Sequence, residues 1–101
     1  MPTFIERYVE LAAAGTPFVA VTLVDAAGST PQDAGSKMLV TAARLDHGTV
    51  GGGKVEAKAI GVAQDLLASG ERTAFRDWSL KADVGMTCGG RVRLYFEAVN
   101  V

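Results

Sequence analysis

The chain contains very little cysteine and histidine: among its 101 residues, Cys88 and His47 are the single members of their kinds. One cysteine excludes an intramolecular disulfide, and one cysteine with one histidine argues against a zinc site built from several protein ligands. Long apolar runs are also missing, because Gly, Asp, Lys or Arg interrupts every segment before the roughly 20 residues that a membrane helix needs. The first ten residues lack the basic and then apolar pattern of a signal peptide. We therefore expect a cytoplasmic protein with no membrane partner.

A large charge of either sign is absent as well. Lys and Arg number 10 and Asp and Glu number 11, which gives a net charge of -1 at pH 7. No basic stripe is available to displace counterions from phosphates, so a nucleic-acid partner is not expected. What is present is the composition of an ordinary globular protein, with 49% hydrophobic and 21% charged residues. The length suits one domain, residues 1–101, with its own core.

Two segments have the hydrophobic spacing of helices. Thr3 and Glu6 form the pattern of a capping box, and apolar residues at helical spacing then predict a helix over residues 4–14. A period of 3.6 residues also runs through residues 54–69, where Gly70 is placed as a C-terminal stop. We expect both helices to pack against one sheet.

Segments rich in β-branched and aromatic residues predict the strands of that sheet. The segment 17–24 is apolar almost throughout, which is typical of a central strand buried on both faces. Asp-His-Gly within residues 44–48 is interpreted as a hairpin turn. The predicted strands cover residues 17–24, 37–41, 49–50, 72–80 and 91–99. The expected fold class is α+β, or mixed α/β, with one sheet of about five strands and two helices.

Glycine is concentrated in three clusters, each with reactive or polar neighbours. The clusters lie within residues 28–38, 48–56 and 85–90. Glycine allows positive φ angles and a close approach of the backbone to a ligand, so three such clusters in one small domain indicate loops shaped around something.

The second cluster has the strongest physical signal. Gly51, Gly52 and Gly53 lead from a strand straight into a helix, where free backbone N–H groups and the positive end of the helix dipole favour an anion. The pattern matches neither the dinucleotide fingerprint nor the Walker sequence. Glu56, in the first helical turn, is explained first by stabilisation of the helix dipole, with a functional role as the alternative. Lys54 is interpreted as a solvated helix residue.

The first cluster supplies hydroxyl and amide groups. Ser29, Thr30 and Gln32 surround Pro31, which restricts the loop, and a merely structural turn explains the same residues.

In the third cluster, Cys88 precedes Gly89 and Gly90 in a predicted turn. This cysteine is either a small buried hydrophobe or a thiolate that binds a soft metal or carries sulfur. His47 is distant in sequence, so a Cys/His catalytic pair stays open.

The three clusters, in this order and spacing, resemble the amino-terminal domain of the XdhC/CoxI family, the accessory proteins of xanthine dehydrogenase and related molybdenum hydroxylases. The family motifs read like Gly-Ser-Thr/Ser-Pro-Arg with Gly-x-Lys-Met, then Gly-Thr-Ile-Gly-Gly-Gly-x-x-Glu, then Cys-Gly-Gly before a strand that closes in Glu. They fall here on residues 28–38, on residues 48–56, and on residues 88–90 with Glu97.

The resemblance implies a factor that binds the molybdenum cofactor (molybdopterin) transiently and delivers it to an apo-hydroxylase. It implies a pterin phosphate at the helix N-terminus after Gly53, and it gives Glu56 and Cys88 functional roles, with Cys88 as a molybdenum contact. The cofactor-binding set is then Ser29, Thr30, Gln32, Gly51, Gly52, Gly53, Glu56, Cys88, Gly89 and Gly90. Gln32 stands where the family usually has Arg, which predicts a weaker grip on phosphate.

The expected arrangement of domains and partners follows from the same resemblance. Many family members continue into a Rossmann-like domain, and the sequence ends at Val101 without one. A minimal module, one subunit of a split system with a separate Rossmann partner, or a relative without cofactor binding are the alternatives. We expect self-association or a second protein, since so small a domain leaves a large cofactor exposed. Two rival functions stay open: a sulfur-transfer enzyme with Cys88 as nucleophile, served by a sulfur donor, and a structural partner module.

Overall fold

The computed structural model describes residues 2–30 and 32–101 as a five-stranded sheet with a helix on each face. All neighbouring strands are antiparallel, in the order β3-β2-β1-β5-β4. The elements are α1 Phe4–Ala13, β1 Phe18–Ala27, β2 Lys37–Thr41, β3 Leu45–Gly48, α2 Gly53–Ser69, β4 Thr73–Ser79, a π-helical turn Leu80–Val84, and β5 Arg91–Val99. This confirms the α+β class, the five strands and the two helices.

The central strand is buried on both faces, as its apolar sequence predicts. Phe18 and Ala20 of β1 face α1, whereas Val19, Val21 and Leu23 face α2, and all five are buried. Side chains that alternate between two covered faces explain why this antiparallel strand lacks a polar side. The larger part of the core lies between the sheet and α2.

Helix α1 is fixed at its start and along its inner face. The Thr3 hydroxyl accepts a hydrogen bond from the Glu6 N–H, and the Glu6 carboxylate accepts one from the Thr3 N–H, which completes the predicted capping box. Tyr8 packs edge-on against Phe18, with ring centroids 5.1 Å apart. Arg7 donates to both carboxylate oxygens of Asp46 on β3, at 2.7 and 2.9 Å. This bidentate pair joins α1 to an edge strand.

Stability should fall on acidification through the Asp46 carboxylate. The hydrogen bonds from Arg7 lower the pKa of Asp46 below its ordinary value, in spite of its burial. A carboxyl with a lowered folded-state pKa contributes stability above its unfolded pKa, about 3.9, and loses this contribution as the pH falls through the folded pKa. We expect the free energy of unfolding, measured by urea titration between pH 7 and pH 2.5, to fall less steeply below pH 4 in Asp46→Asn and Arg7→Gln than in the wild type. Parallel curves for the three proteins would contradict this assignment.

Helix α2 follows its predicted bounds closely. It begins at Gly53 and ends at Ser69, and Gly70 closes it in the left-handed conformation with φ 76°. Val55, Ala59, Ala63 and Leu66 are buried against the sheet, so the 3.6-residue period correctly identifies the inner face. Among residues 2–30 and 32–101, no helix combines the length and the hydropathy needed to cross a bilayer.

The predicted hairpin turn at Asp-His-Gly is wrong. Those residues belong to β3, and the turn precedes them at residues 42–44, where Thr41 accepts from the N–H groups of Ala43 and Arg44. Asp46 is hydrogen-bonded to Arg7, and the ring of His47 lies beside that of Phe4. These contacts with α1 hold both residues in the strand. Thr49 and Val50 follow the strand instead of forming it.

Gly48 is not a turn residue, and its role is to allow two strands to approach closely. Its φ is +79°, and a Cβ at this position would overlap the Lys37 carbonyl oxygen, so the close pairing of β2 and β3 requires glycine. The bounds of the other strands are close to those expected, although β1 continues three residues beyond Val24.

Candidate functional site

The three glycine clusters lie at one edge of the sheet. Because neighbouring strands are antiparallel, the ends of β1, β3 and β4 meet the beginnings of β2 and β5 at that edge. The loops are residues 28–36 after β1, residues 49–52 after β3 and residues 85–90 before β5. We call these loops together the glycine edge. Pro31, which we expect to restrict the first loop, lies outside the described residues.

The first and third loops touch through their backbones. A Cβ on Gly90 would overlap the Ser29 carbonyl oxygen and lie 2.8 Å from Thr30 Cγ2, while a Cβ on Gly28 would lie 3.3 Å from Gly90 Cα. No residue larger than glycine fits at position 90 without displacing the first loop. The contact places Ser29 and Thr30 beside the Cys88-Gly89-Gly90 segment, as a shared site requires.

The second loop reaches the third through Lys54. Its ammonium group donates a 2.9 Å hydrogen bond to the Gly85 carbonyl oxygen, so the start of α2 is attached to the third loop. Lys54 is exposed within α2, which confirms its interpretation as a solvated helix residue, but its hydrogen bond to Gly85 was not predicted. The partners are 31 positions apart in sequence, and no local pattern indicates the contact.

The start of α2 is shaped by three consecutive glycines and one carboxylate. Gly51, Gly52 and Gly53 have φ angles of 146°, 68° and 50°. Glu56 accepts hydrogen bonds from the Gly52 N–H, at 2.9 Å, and from the Thr49 hydroxyl. Glu56 therefore has the structural role of a cap, and its negative charge lies against the positive end of the helix. The following N–H groups of the first turn have no partner within an α-helix.

Polar side chains of the first loop form hydrogen bonds within that loop. The Ser36 hydroxyl lies 2.8 Å from the Asp33 carbonyl oxygen and 3.1 Å from Gln32 Oε1, and the Thr30 hydroxyl donates to the Gln32 carbonyl oxygen at 3.0 Å. Leu23 of β1 is bonded through its backbone to both Gly35 and Ser36, which attaches the loop to the sheet. Ser29 is exposed and Gln32 is half-buried. The side chain of Gln32 thus orders the loop through its oxygen, while its amide nitrogen can still donate.

Cys88 and His47 lie on opposite sides of the sheet. Cys88 is a half-buried free thiol packed against the core on the α2 side. His47 pairs with Leu39, which belongs to the α1-side core, and its ring centroid is 6.5 Å from that of Phe4 on α1. Residues directly opposite each other in an antiparallel pair share a face, so His47 points away from Cys88. The structure therefore excludes the Cys/His pair that the sequence leaves open.

The glycine edge is open rather than enclosed. Within the described part of the chain, a Cβ built on Gly52, Gly53 or Gly89 meets no atom within 4 Å, so a ligand can approach the backbone at each. Two cavities of the described structure lie elsewhere: a groove of about 520 Å³ beside Arg7 and Pro17 at the opposite end of the sheet, and one of about 320 Å³ at the C-terminal end of α2. A ligand at the glycine edge would rest on a surface and keep one side accessible.

The fold and the site together define the class of protein, which is an α+β domain with three glycine loops at one edge of its sheet. The family model described as the XdhC and CoxI family matches residues 11–77, about two thirds of the sequence, and the chain belongs to this family. The matched range includes the first two loops and ends before the third. Comparison with curated protein sequences finds no match.

A solved structure shares the fold. It is a crystal structure of a xanthine dehydrogenase from Bacillus halodurans, which aligns with a TM-score of 0.76 and 22% sequence identity over 93% of this chain. The aligned region is 30% of that protein, so the present chain spans less than a third of its length. At this identity the likeness establishes the fold alone.

Proposed function

We propose that this chain is an accessory factor in the maturation of a xanthine dehydrogenase-type molybdenum hydroxylase, and that it binds the molybdenum cofactor transiently at the glycine edge. The observation that carries the proposal is the meeting of the three motif loops, through the Gly90–Ser29 backbone contact and the Lys54–Gly85 hydrogen bond. Membership of the XdhC and CoxI family supports the same role.

The groups at the glycine edge fit such a cofactor. The N–H groups of the first turn of α2, beside the open backbone of Gly52 and Gly53, suit its phosphate. The Ser29 hydroxyl and the Gln32 amide suit the polar edges of a pterin, and the Cys88 thiol is a soft donor for molybdenum or its sulfur. When bound, the cofactor supplies the sulfurated metal centre that the hydroxylase uses. The residues of this chain hold it, orient it and leave one side accessible for release.

Two features favour weak, reversible binding. Gln32 is neutral and can offer a phosphate only the N–H groups of its amide, so it grips the anion less firmly than an arginine would. Glu56 places a carboxylate at the N-terminus of α2, where it competes electrostatically with any anion. A delivery factor has to release its cargo, so moderate affinity agrees with the proposed role.

The partners belong to the same proposal. The apo-hydroxylase would receive the cofactor from the open side of the glycine edge, in the cytoplasm. A sulfur donor or a separate Rossmann-domain protein would act alongside. The similar solved protein is described as a xanthine dehydrogenase, which makes an enzyme of that kind the first partner to test.

The test is an anaerobic titration of the purified protein with isolated molybdenum cofactor, followed by ultraviolet-visible absorbance. In the variant Gly89→Leu, a side chain enters the space over the third loop without backbone strain, because a Cβ there meets no described atom and φ is not positive. Gly61→Leu is the matched control, since Gly61 is exposed on α2 and its Cβ position is equally open. We expect saturable binding that Gly89→Leu weakens more than about tenfold and Gly61→Leu leaves unchanged. Absence of saturable binding, or equal affinities in the two variants, would contradict the proposal.

We propose a binding role without catalysis for Cys88. The position of His47 across the sheet supports this, because no histidine of the described chain lies beside the thiol to act as its base. Cys88→Ala should weaken cofactor binding, and the wild type should transfer no sulfur from a persulfide donor to an acceptor thiol. Multiple turnovers of sulfur transfer that disappear in Cys88→Ala would favour the enzyme instead.

A further inference from the structure

The third loop is fixed to Leu80 at both of its ends. The Gly85 and Met86 N–H groups donate to the Leu80 carbonyl oxygen, and the Leu80 N–H donates to the Gly90 carbonyl oxygen at 2.9 Å. Cys88 lies between these two ends, half-buried against the core on the α2 side. Because the ends of the loop are held close together, a contact with another element decides how far the loop lies from the start of α2.

Lys54 supplies a contact of this kind. Its ammonium group donates to the Gly85 carbonyl oxygen at 2.9 Å. On its own side, the start of α2 is held by Glu56, which accepts hydrogen bonds from the Gly52 N–H and the Thr49 hydroxyl. Lys54 therefore connects two backbone segments that are each fixed locally, namely the N-terminus of α2 and the loop that carries the thiol.

Helix stability does not account for a lysine at this position. Lys54 is the second residue of α2, and the dipole of a helix disfavours a positive charge in its first turn. The residue is also exposed, so burial of its aliphatic stem contributes little. The hydrogen bond to Gly85 gives the better explanation of the lysine.

Two other cations directly follow the loops, and both lie on the α1 face of the sheet. The three loops themselves contain no lysine or arginine. Lys37, after the first loop, donates to the Thr22 hydroxyl. Arg91, after the third loop, donates to Asp77. Their strand neighbours in sequence pack in the core on the α2 side, so Lys37 and Arg91 point the other way. Lys54 thus brings a positive charge to the α2 side of the glycine edge.

We propose that Lys54 is a positioning residue for the cofactor and that it acts through the third loop, by setting the distance between Cys88 and the N-terminus of α2. The inference rests on the proposed function, in which the phosphate lies at the start of α2 and the thiol approaches the molybdenum or its sulfur. A single ligand that reaches both groups binds best when they are held at a fixed separation before it arrives. Lys54 provides that constraint through the Gly85 carbonyl oxygen.

Alkylation of Cys88 tests the position of the loop in the free protein. Lys54→Met removes the ammonium group and keeps an unbranched aliphatic side chain. An exposed hydrogen bond adds little to global stability, so the urea midpoint should stay close to that of the wild type. We expect iodoacetamide to react with Cys88 more than about threefold faster in Lys54→Met than in the wild type, as measured by mass spectrometry, because the loop opens more often. A purely electrostatic role would slow the reaction, since a neighbouring positive charge favours the reactive thiolate.

Two further variants make the alkylation experiment specific. Lys54→Arg should keep the rate within about twofold of the wild type, because a guanidinium can donate to the same carbonyl oxygen. Lys58→Met is the matched control: it removes the same charge one turn further along α2, where the ammonium lies 5.2 Å from the centre of the Trp78 ring. An unchanged or slower rate in Lys54→Met, or an equal increase in Lys58→Met, would overturn the proposal.

The same variants, titrated anaerobically with isolated molybdenum cofactor, test the effect on binding. We expect Lys54→Met to raise the Kd more than about threefold, and Lys54→Arg and Lys58→Met to stay within about twofold of the wild type. Saturable wild-type binding that Lys54→Met leaves unchanged would overturn the positioning role alone. Absence of wild-type binding would contradict the proposed function and this role with it, so the two failures are distinguishable.

Discussion

Gly90→Ala should destabilise the protein by about 3 kcal/mol or more, the largest effect that we expect from a single methyl group in this chain. The added Cβ would overlap the Ser29 carbonyl oxygen and lie 2.8 Å from Thr30 Cγ2. The Ser29 oxygen is a backbone atom and not the end of a flexible side chain, so the whole first loop has to move away. Gly90 is itself buried, and its carbonyl oxygen accepts from the Leu80 N–H at 2.9 Å, which limits movement on its own side.

The neighbouring glycine supplies the control for this prediction. A Cβ on Gly89 meets no described atom within 4 Å, and the residue does not have a left-handed φ. Gly89→Ala should therefore change the free energy of unfolding by no more than about 1 kcal/mol, and in the stabilising direction if anything. Urea denaturation of the two variants in parallel measures the difference. Equal stabilities would mean that the first and third loops do not make the close contact described.

The contact between Gly90 and Ser29 also shows what the sequence can and cannot predict. The clusters of glycine are visible in the sequence, and they indicate three shaped loops. That the loops meet depends on every strand being antiparallel, because only then do the ends of β1 and β3 share an edge with the beginning of β5. Strand direction follows from tertiary pairing and has no local signal in these segments.

Local sequence patterns predict the structure correctly where one short-range interaction determines it. The capping box at Thr3 and the 3.6-residue period of α2 each report contacts within a few residues, and both predictions are confirmed. The hairpin was misplaced because Asp-His-Gly has turn propensity, whereas Asp46 and His47 are held in β3 by contacts with α1. Long-range contacts overrode a local preference.

The same limit applies to the candidate site. Glu56 was correctly placed in the first turn of α2, but its hydrogen bonds to Thr49 and Gly52 required a bent loop whose shape the sequence does not specify. The hydrogen bond of Lys54 could not be predicted, because its partner, Gly85, is on another loop. The π-helical turn at Leu80–Val84 was not predicted, since its five residues contain no glycine, proline or regular apolar period.

Leu80→Ala should destabilise the protein by about 2–5 kcal/mol and loosen the third loop at the same time. Leu80 is completely buried in the core on the α2 side, so truncation loses apolar burial and leaves a cavity. Its backbone N–H donates to the Gly90 carbonyl oxygen, and its own carbonyl oxygen accepts from the N–H groups of Gly85 and Met86. One residue thus anchors both ends of the loop that carries Cys88.

The control is Leu80→Met, which conserves the side-chain volume and should cost less than about 1.5 kcal/mol. Amide hydrogen exchange then separates loss of global stability from local loosening. In Leu80→Ala, the Met86 N–H should lose more protection than the amides of α2, whereas in Leu80→Met both should stay close to the wild type. Uniform loss of protection across the chain would show that the core and the third loop open together, and that Leu80 holds the loop only by holding the fold.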